Sequence, residues 1–290
     1  MKKQKLYNAK DLYLNVRDQL YPLYSHESEI LTYILLQEYL GIDKMSCIVE
    51  KRFEHKKKNI DGLNRAINRL KKNEPIQYII GKANFFDREF MVKSGILIPR
   101  QETEELIVLV KDKNKNPSPY ILDIGCGSGC IAITLALEIS GSKIHAIDSN
   151  KIAVKFTQKN AQQLGAEVKV FLHDIFTDNL LNDEYDIIVS NPPYVTESDK
   201  LQMKKNVIDY EPAEALFVSD NDPLKYYIKI LEISDTNLKN DGYLFFEVNE
   251  AFGHQLYNLL ISKGFENVEI SKDMHGKDRF VSGKKIARTF

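Results

Sequence analysis

The sequence has no excess of charge, very little cysteine and no long apolar run, and each lack removes a class of protein. Lys and Arg number 40 against 41 Asp and Glu, so the molecule as a whole carries no positive field of the kind that draws nucleic acid phosphates. A DNA-binding enzyme is disfavoured on that ground, and no direct nucleic acid partner is expected. Three cysteines, Cys47, Cys126 and Cys130, are too few for a disulfide framework and form no C-x-x-C pair suited to zinc. A reducing compartment and no metal site follow. No stretch approaches the roughly 18 consecutive apolar residues of a membrane span, and MKKQKLYNAKDLYL lacks the apolar core of a secretory signal. The expectation is a cytoplasmic protein with no membrane partner, and nothing requires more than a monomer. Internal repeats and low-complexity tracts are lacking too.

What is present suits two soluble domains. Hydrophobic residues make up 43% and charged residues 28% of 290 positions, enough to bury a core, and the length exceeds the usual single domain of about 100 to 150 residues. Over Ser28 to Leu40 the apolar residues recur at three and four spacing, with Gly41 where a C-cap belongs. Asn59 to Leu70 reads as another helix. Residues 1–74 contain only Gly41, Gly62 and Pro22 as breakers, which predicts a first domain of three to five helices. The basic cluster of Lys51, Arg52, Lys56, Lys57 and Lys58, followed by Arg65, Arg69, Lys71 and Lys72, reads as a solvated helix surface.

Pro75 closes that domain. QYIIGKANFFDREFMV then shows two β-rich runs around a polar turn, which predicts a β-hairpin bridge over residues 75–98. In the remaining residues 99–290, Glu102, Thr103, Glu104 and Glu105 fit a first helical turn, where the macrodipole favours acids. Past Pro117 short apolar runs alternate with helical stretches: YILDIG, IAITLALEI, KIHAID, AVKFTQKNAQQLG and VKVFLHDI. Strand and helix in alternation predict an α/β fold with a parallel, doubly wound, Rossmann-like sheet. Further strands are legible at Tyr185 to Ser190, Tyr243 to Val248, Val268 to Ile270 and Arg279 to Ser282, the last two as an antiparallel hairpin around DMHGKD.

YILDIGCGSGC, residues 120–130, is a buried strand running through a glycine turn into a helix that begins near Cys130. Such a turn brings the backbone close to a ligand and aims unpaired helix N–H groups at it. Gly125, Gly127 and Gly129 stand at alternate positions and miss the dinucleotide pattern G-x-G-x-x-G, whose third glycine would fall at Cys130. The spacing instead resembles the first motif of S-adenosylmethionine methyltransferases, with Gly125, Cys126, Gly127, Ser128 and Gly129 as the cofactor loop. The next strand ends at Asp148, placed to accept hydrogen bonds from both ribose hydroxyls. Its plainer reading is the N-cap of SNKIAVKF; the strand-end position favours the ribose. The third strand, VKVFLHDIF, ends in Asp174, which in the resembling enzymes lies near the adenine, with Ile175 and Phe176 against the purine. Cys126 and Cys130 read as small buried residues.

The fourth strand, YDIIVS, leads into Asn191-Pro192-Pro193-Tyr194. Consecutive prolines remove two backbone donors, so the carbonyls here face outward free of competing N–H groups. The Asn191 side-chain oxygen and the Pro192 carbonyl suit the two hydrogens of a planar NH₂, with Asn191 also beside the cofactor and Tyr194 stacked on the flat group. Asn191, Pro192 and Tyr194 are thus the candidate catalytic residues, and Asn191 to Tyr194 the acceptor-binding segment. Two kinds of enzyme present such a pocket: DNA adenine or cytosine N-methyltransferases, which flip a base into it, and protein glutamine methyltransferases.

Over nearly its whole length the chain resembles the bacterial peptide chain release factor glutamine methyltransferases. PIQYIIGKANFFDREFMVKSGILIPRQETEELI from Pro75, LDIGCGSGCIAI from Leu122, SNPPYV from Ser190, YEPAEAL from Tyr210, FFEVNEAFG from Phe245 and HGKDRFVSG from His275 carry the resemblance. It implies a helical substrate-docking domain, S-adenosylmethionine as methyl donor with S-adenosylhomocysteine as product, and transfer to the amide nitrogen of the glutamine in a release factor's Gly-Gly-Gln tip. Gln101-Glu102 stands where many relatives have Pro-Asp, and Asn221-Asp222-Pro223-Leu224 where they usually have a Gly-Leu turn.

Overall fold

The computed structural model describes residues 6–178 and 183–286, and the chain divides into two compact units. One comprises the chain up to Gly81 with Lys205–Tyr210; the other comprises Lys82–Lys204 and the chain from Glu211 onward.

In the first unit, strand β1 (Leu6–Asn8) leads into helix α1 (Ala9–Tyr24), followed by α2 (Glu27–Leu40), α3 (Lys44–Ile48), strand β2 (Arg52–Glu54), α4 (Lys57–Leu70) and α5 (Ile76–Ile80). Asn8 caps α1, its side-chain oxygen accepting from the Lys10 and Asp11 N–H groups, which satisfies two donors left open at a helix start. Gly41, at φ 64°, ends α2 as the spacing predicts. Leu35, Leu36, Leu63, Ile67 and Leu70 lie on the facing stripes of α2 and α4 and form the core with Val16 and Leu20 of α1. The antiparallel β1–β2 pair is an addition to the expected helices. Lys51, Arg52, Lys56, Lys57, Lys58, Arg65, Lys71 and Lys72 are exposed, as a solvated face should be, but Lys51 and Arg52 lie outside the helices, and Arg69 is half-buried, donating to Glu74 and to the Tyr78 and Ile79 carbonyls.

The segment expected to be a single β-rich bridge splits. Its first run, Ile76–Ile80, is the helix α5, started at Pro75 and stopped by Gly81 at φ 81°; the β-branched run misled because five residues between two such breakers carry too little periodicity to tell strand from helix. The hairpin is β3 (Lys82–Phe85) paired with β4 (Arg88–Met91), and it belongs to the second unit. There Phe85 and Phe90 meet edge to face at 6.0 Å inside the core formed by α6 (Glu102–Lys113) and the sheet.

From there the second unit alternates as expected: β5 (Tyr120–Ile124), α7 (Cys130–Glu138), β6 (Lys143–Asp148), α8 (Lys151–Leu164), β7 (Val168–Leu172) and β8 (Tyr185–Ser190). After the short strands β9 (Val195–Thr196) and β10 (Phe217–Val218) come α11 (Lys225–Asn237), β11 (Leu238–Glu247), α12 (Gly253–Ser262), β12 (Phe265–Lys272) and β13 (Asp278–Lys285); between β9 and β10 the chain forms α9 (Lys205–Tyr210), which belongs to the first unit, and then α10 (Ala213–Leu216). Seven strands form one sheet in the order β12-β13-β11-β8-β5-β6-β7. β7, β6, β5, β8 and β11 run parallel, and β13 is antiparallel to both its neighbours.

The sheet is buried on both sides. Ile121, Ile187, Val189 and Phe245 pack under α6 and α7, whereas Leu122, Ile188, Leu244 and Phe246 pack against α11 and α12. Neighbouring residues thus enter opposite cores, which is why these strands read as continuous apolar runs rather than alternating ones. The chain runs outward from β5 to β7 and returns to β8 on the other side of β5. At that reversal the carboxyl ends of β5 and β8 open a crevice, the usual ligand position in a doubly wound sheet.

Candidate active site

A cavity of about 370 Å³ occupies that crevice, within the size range of small-molecule sites. Three strand ends and the loops after them form its wall: Ile124 to Ser128 after β5, Asp148 to Asn150 after β6, and Ser190 to Pro193 after β8; Asp174, Ile175 and Phe176 close one side. The buried Ser190 hydroxyl donates to the Ile124 carbonyl at 2.7 Å, which holds the ends of β8 and β5 together.

The glycine loop needs its glycines for two different reasons. Gly125 and Gly127 have φ of 80° and 58°, and a Cβ on either would stand in open space; only the left-handed backbone demands glycine. Gly129 (φ 83°) precedes α7, and a Cβ there would lie 2.7 Å from Thr157 Cγ2 and 2.8 Å from Ile133 Cδ1. Gly129 is not in the cavity wall, contrary to its place in the expected cofactor loop. It lets α7 and α8 pack closely instead.

Asp148 ends β6 and lines the cavity. Its Oδ2 accepts from the Gly127 N–H at 2.9 Å and its Oδ1 from the Asn150 N–H at 2.8 Å, leaving each oxygen a further lone pair. The N-cap alternative goes to Asn150, whose side chain accepts from the Ile152 N–H. Burial pushes the Asp148 carboxyl upward, opposed by the Asn150 and Gly127 N–H groups. Asp123 lies wholly buried beneath the loop; its Oδ2 accepts from Ala132 N–H at 3.1 Å, and its Oδ1 has no partner. Burial, with the Asp148 charge adding and the Ala132 N–H opposing, pushes it up to about 7. Cys126 is buried, its thiol raised by burial and 3.4 Å from the Thr157 hydroxyl, so it is no thiolate at neutral pH. β7 stops at Leu172, two residues before Asp174, which forms a turn by accepting from Phe176 N–H at 2.9 Å.

Asn191, Pro192 and Pro193 line the cavity, but Tyr194 does not. Its ring packs against the core shared by α11 and α12, and its hydroxyl donates to Glu247 Oε1 at 3.0 Å. A buried carboxylate is a stronger partner for the phenol than open space, so the hydroxyl end of Tyr194 is tied to that core. Glu247, 1% exposed at the end of β11, also accepts from the Thr103 hydroxyl at 2.7 Å, and Thr103 in turn faces Asn191 Nδ2 at 3.3 Å. Burial raises the Glu247 carboxyl, while Thr103, Tyr194 and the Arg279 charge oppose that rise.

No local sequence signal marks these partners. Thr103 sits in a run explained by helix capping, and Glu247 in an apolar strand where a lone acid was the available signal. Glu211 stands within YEPAEAL. It is buried, accepting from the Ile98 N–H at 3.1 Å and from Arg100 Nη2 at 2.8 Å, and so fixes the segment that carries Pro99 and Arg100 into the cavity wall.

The chain is 40% identical over 272 residues to a release factor glutamine methyltransferase of Bacteroides thetaiotaomicron, covering 93% of this chain and 98% of that one. The chain belongs to the release factor glutamine methyltransferase family. Its relative of the same name from Flavobacterium psychrophilum is 39% identical, covering 88% and 91%, and that from Bacillus subtilis 37%, covering 75% and 77%. The family model for the PrmC N-terminal domain matches residues 11–81, and that for the methyltransferase small domain matches residues 104–216. Among solved structures, a methyltransferase from Pyrococcus furiosus aligns with TM-score 0.52 at 16% identity, covering 77% of this chain and 99% of that one. The hMettl16 catalytic domain in complex with MAT2A 3'UTR hairpin 6 aligns with TM-score 0.56 at 16% identity, covering 82% and 85%. Both establish the methyltransferase fold.

Among the described residues no helix is long and apolar enough to cross a membrane.

Proposed function

We propose that this protein transfers a methyl group from S-adenosylmethionine to the side-chain amide nitrogen of the glutamine in the Gly-Gly-Gln motif of a peptide chain release factor. Membership of the family supports the substrate, and the convergence of Asp148, the glycine loop and Asn191-Pro192 on one cavity carries the reading.

The residues present fit the methyl donor. Gly125 and Gly127 leave a bare backbone beside open space, suited to the amino acid end. Asp148 keeps lone pairs for two ribose hydroxyls, and Asp174, Ile175 and Phe176 offer an acceptor and an apolar face to a purine. When bound, S-adenosylmethionine supplies an electrophilic methyl on a cationic sulfur. The chain's task is then to hold the acceptor. Asn191 Oδ1 and the Pro192 carbonyl would take the two amide hydrogens, which turns the nitrogen lone pair toward the methyl; the nitrogen would gain the methyl and release one of those hydrogens to solvent as a proton, the bonding pair staying on the sulfur of the S-adenosylhomocysteine product. Such alignment is worth about 7 to 11 kcal/mol without a strong base. The N-terminal helical unit is proposed to dock the release factor.

The test uses labelled S-adenosylmethionine with separate pools of unmodified release factor and genomic DNA. Label is expected on the release factor; label on DNA alone would overturn the reading.

A further inference from the structure

A side-chain amide has two ends of nearly equal shape, and only the carbonyl end can hold an NH₂ group. Nothing in the volume of the cavity tells Asn191 which end to present. The hydrogen bonds behind it do. Glu247 is buried, and its two oxygens each accept one hydroxyl, Oε2 from Thr103 at 2.7 Å and Oε1 from Tyr194 at 3.0 Å. Thr103 has one hydroxyl hydrogen. With that hydrogen committed to Glu247, its oxygen can only accept, and the group it faces is Asn191 Nδ2 at 3.3 Å. The Asn191 NH₂ is thereby drawn to Thr103, and its carbonyl is the end left for the acceptor. Were the amide reversed, Thr103 would meet a carbonyl with no hydrogen to offer it, and the acceptor NH₂ would meet another NH₂.

We infer that Thr103 and Glu247 are positioning residues that set the Asn191 amide carbonyl-outward toward the methyl acceptor. The three groups come from α6, the end of β11 and the loop after β8, 144 and 88 residues apart in the pairs Thr103–Glu247 and Thr103–Asn191. All three lie within the second compact unit. The inference rests on Asn191 as the acceptor's ligand.

The test measures kcat on an intact release factor, and S-adenosylmethionine binding by calorimetry, for Thr103→Val, Thr103→Ser, Glu247→Gln and Asn191→Ala. Thr103→Val keeps the side-chain shape but loses the hydroxyl, and kcat should fall about ten- to hundredfold, the scale of a misplaced reacting group. Cofactor affinity should stay unchanged. Thr103→Ser, which restores the hydroxyl, should recover most of kcat. Glu247→Gln should cause a smaller fall alone and none when added to Thr103→Val, because its effect passes through that hydroxyl. Wild-type kcat in Thr103→Val, an equal fall in Thr103→Ser, or losses that multiply in the double variant would each overturn the inference. Asn191→Ala separates the two levels: if it is inactive while Thr103→Val is fully active, only the positioning role fails, and if it is fully active, the acceptor reading fails with it.

Discussion

The Gly127 N–H donates to Asp148 Oδ2 at 2.9 Å, so the glycine loop after the first central strand and the acid ending the second are one hydrogen-bonded structure. Gly125 and Cys126 add to it, both N–H groups donating to the Ile147 carbonyl at 2.9 and 3.0 Å. A ligand that engages Asp148 therefore meets a loop already held in shape, and little ordering cost remains for binding.

Asp148→Ala is expected to weaken S-adenosylmethionine by about 1.5 to 3 kcal/mol, the worth of hydrogen bonds to a charged group. That is roughly a ten- to hundredfold rise in Kd, readable by calorimetry. An unchanged Kd would remove Asp148 from the ribose.

The glycines separate strain from packing. Gly127→Ala places a Cβ in open space at φ 58° and should cost about 1 to 2 kcal/mol for the left-handed backbone alone. Gly129→Ala carries the same strain plus contacts of 2.7 and 2.8 Å with Thr157 and Ile133, and overpacking adds about 1 to 3 kcal/mol. Denaturant unfolding without cofactor should rank Gly129→Ala below Gly127→Ala. Equal losses would mean that α7 and α8 separate to make room.

Much of this site is legible in the sequence because its signals are local. Glycines that need positive φ, an acid ending a strand and two prolines after one declare themselves within a few residues. The rest depends on residues distant in the chain. Glu102 to Glu105 reads as a capped helix start, yet Thr103 bonds Glu247, Glu104 accepts from the Phe86 N–H in the hairpin, and Glu105 accepts from the Met274 N–H. Tyr194 reads as a stacking face, and its bond to Glu247, 53 residues on, has no local signal. QYII has strand-forming residues and becomes a helix because Pro75 and Gly81 bound it.

Asp123 makes stability depend on pH. Its carboxyl rises from 3.8 in an unperturbed group to about 7 in the fold, so between those values the native state keeps a proton that the unfolded chain releases. Stability from this group is then fully present below pH about 4 and falls as pH rises to about 7, by an amount on the order of a few kcal/mol. Urea unfolding of the cofactor-free protein across this range should show wild type losing stability relative to Asp123→Asn. A constant difference between the two would contradict the raised carboxyl.

The central claim is tested most directly by incubating the protein with S-adenosylmethionine and an unmodified bacterial release factor, then locating the added mass by tandem mass spectrometry. One methyl on the side-chain nitrogen of the Gly-Gly-Gln glutamine with the wild-type protein, and almost none with Asn191→Ala under cofactor saturation, is the predicted result. A methyl on any other residue, or equal modification by both proteins, would contradict it.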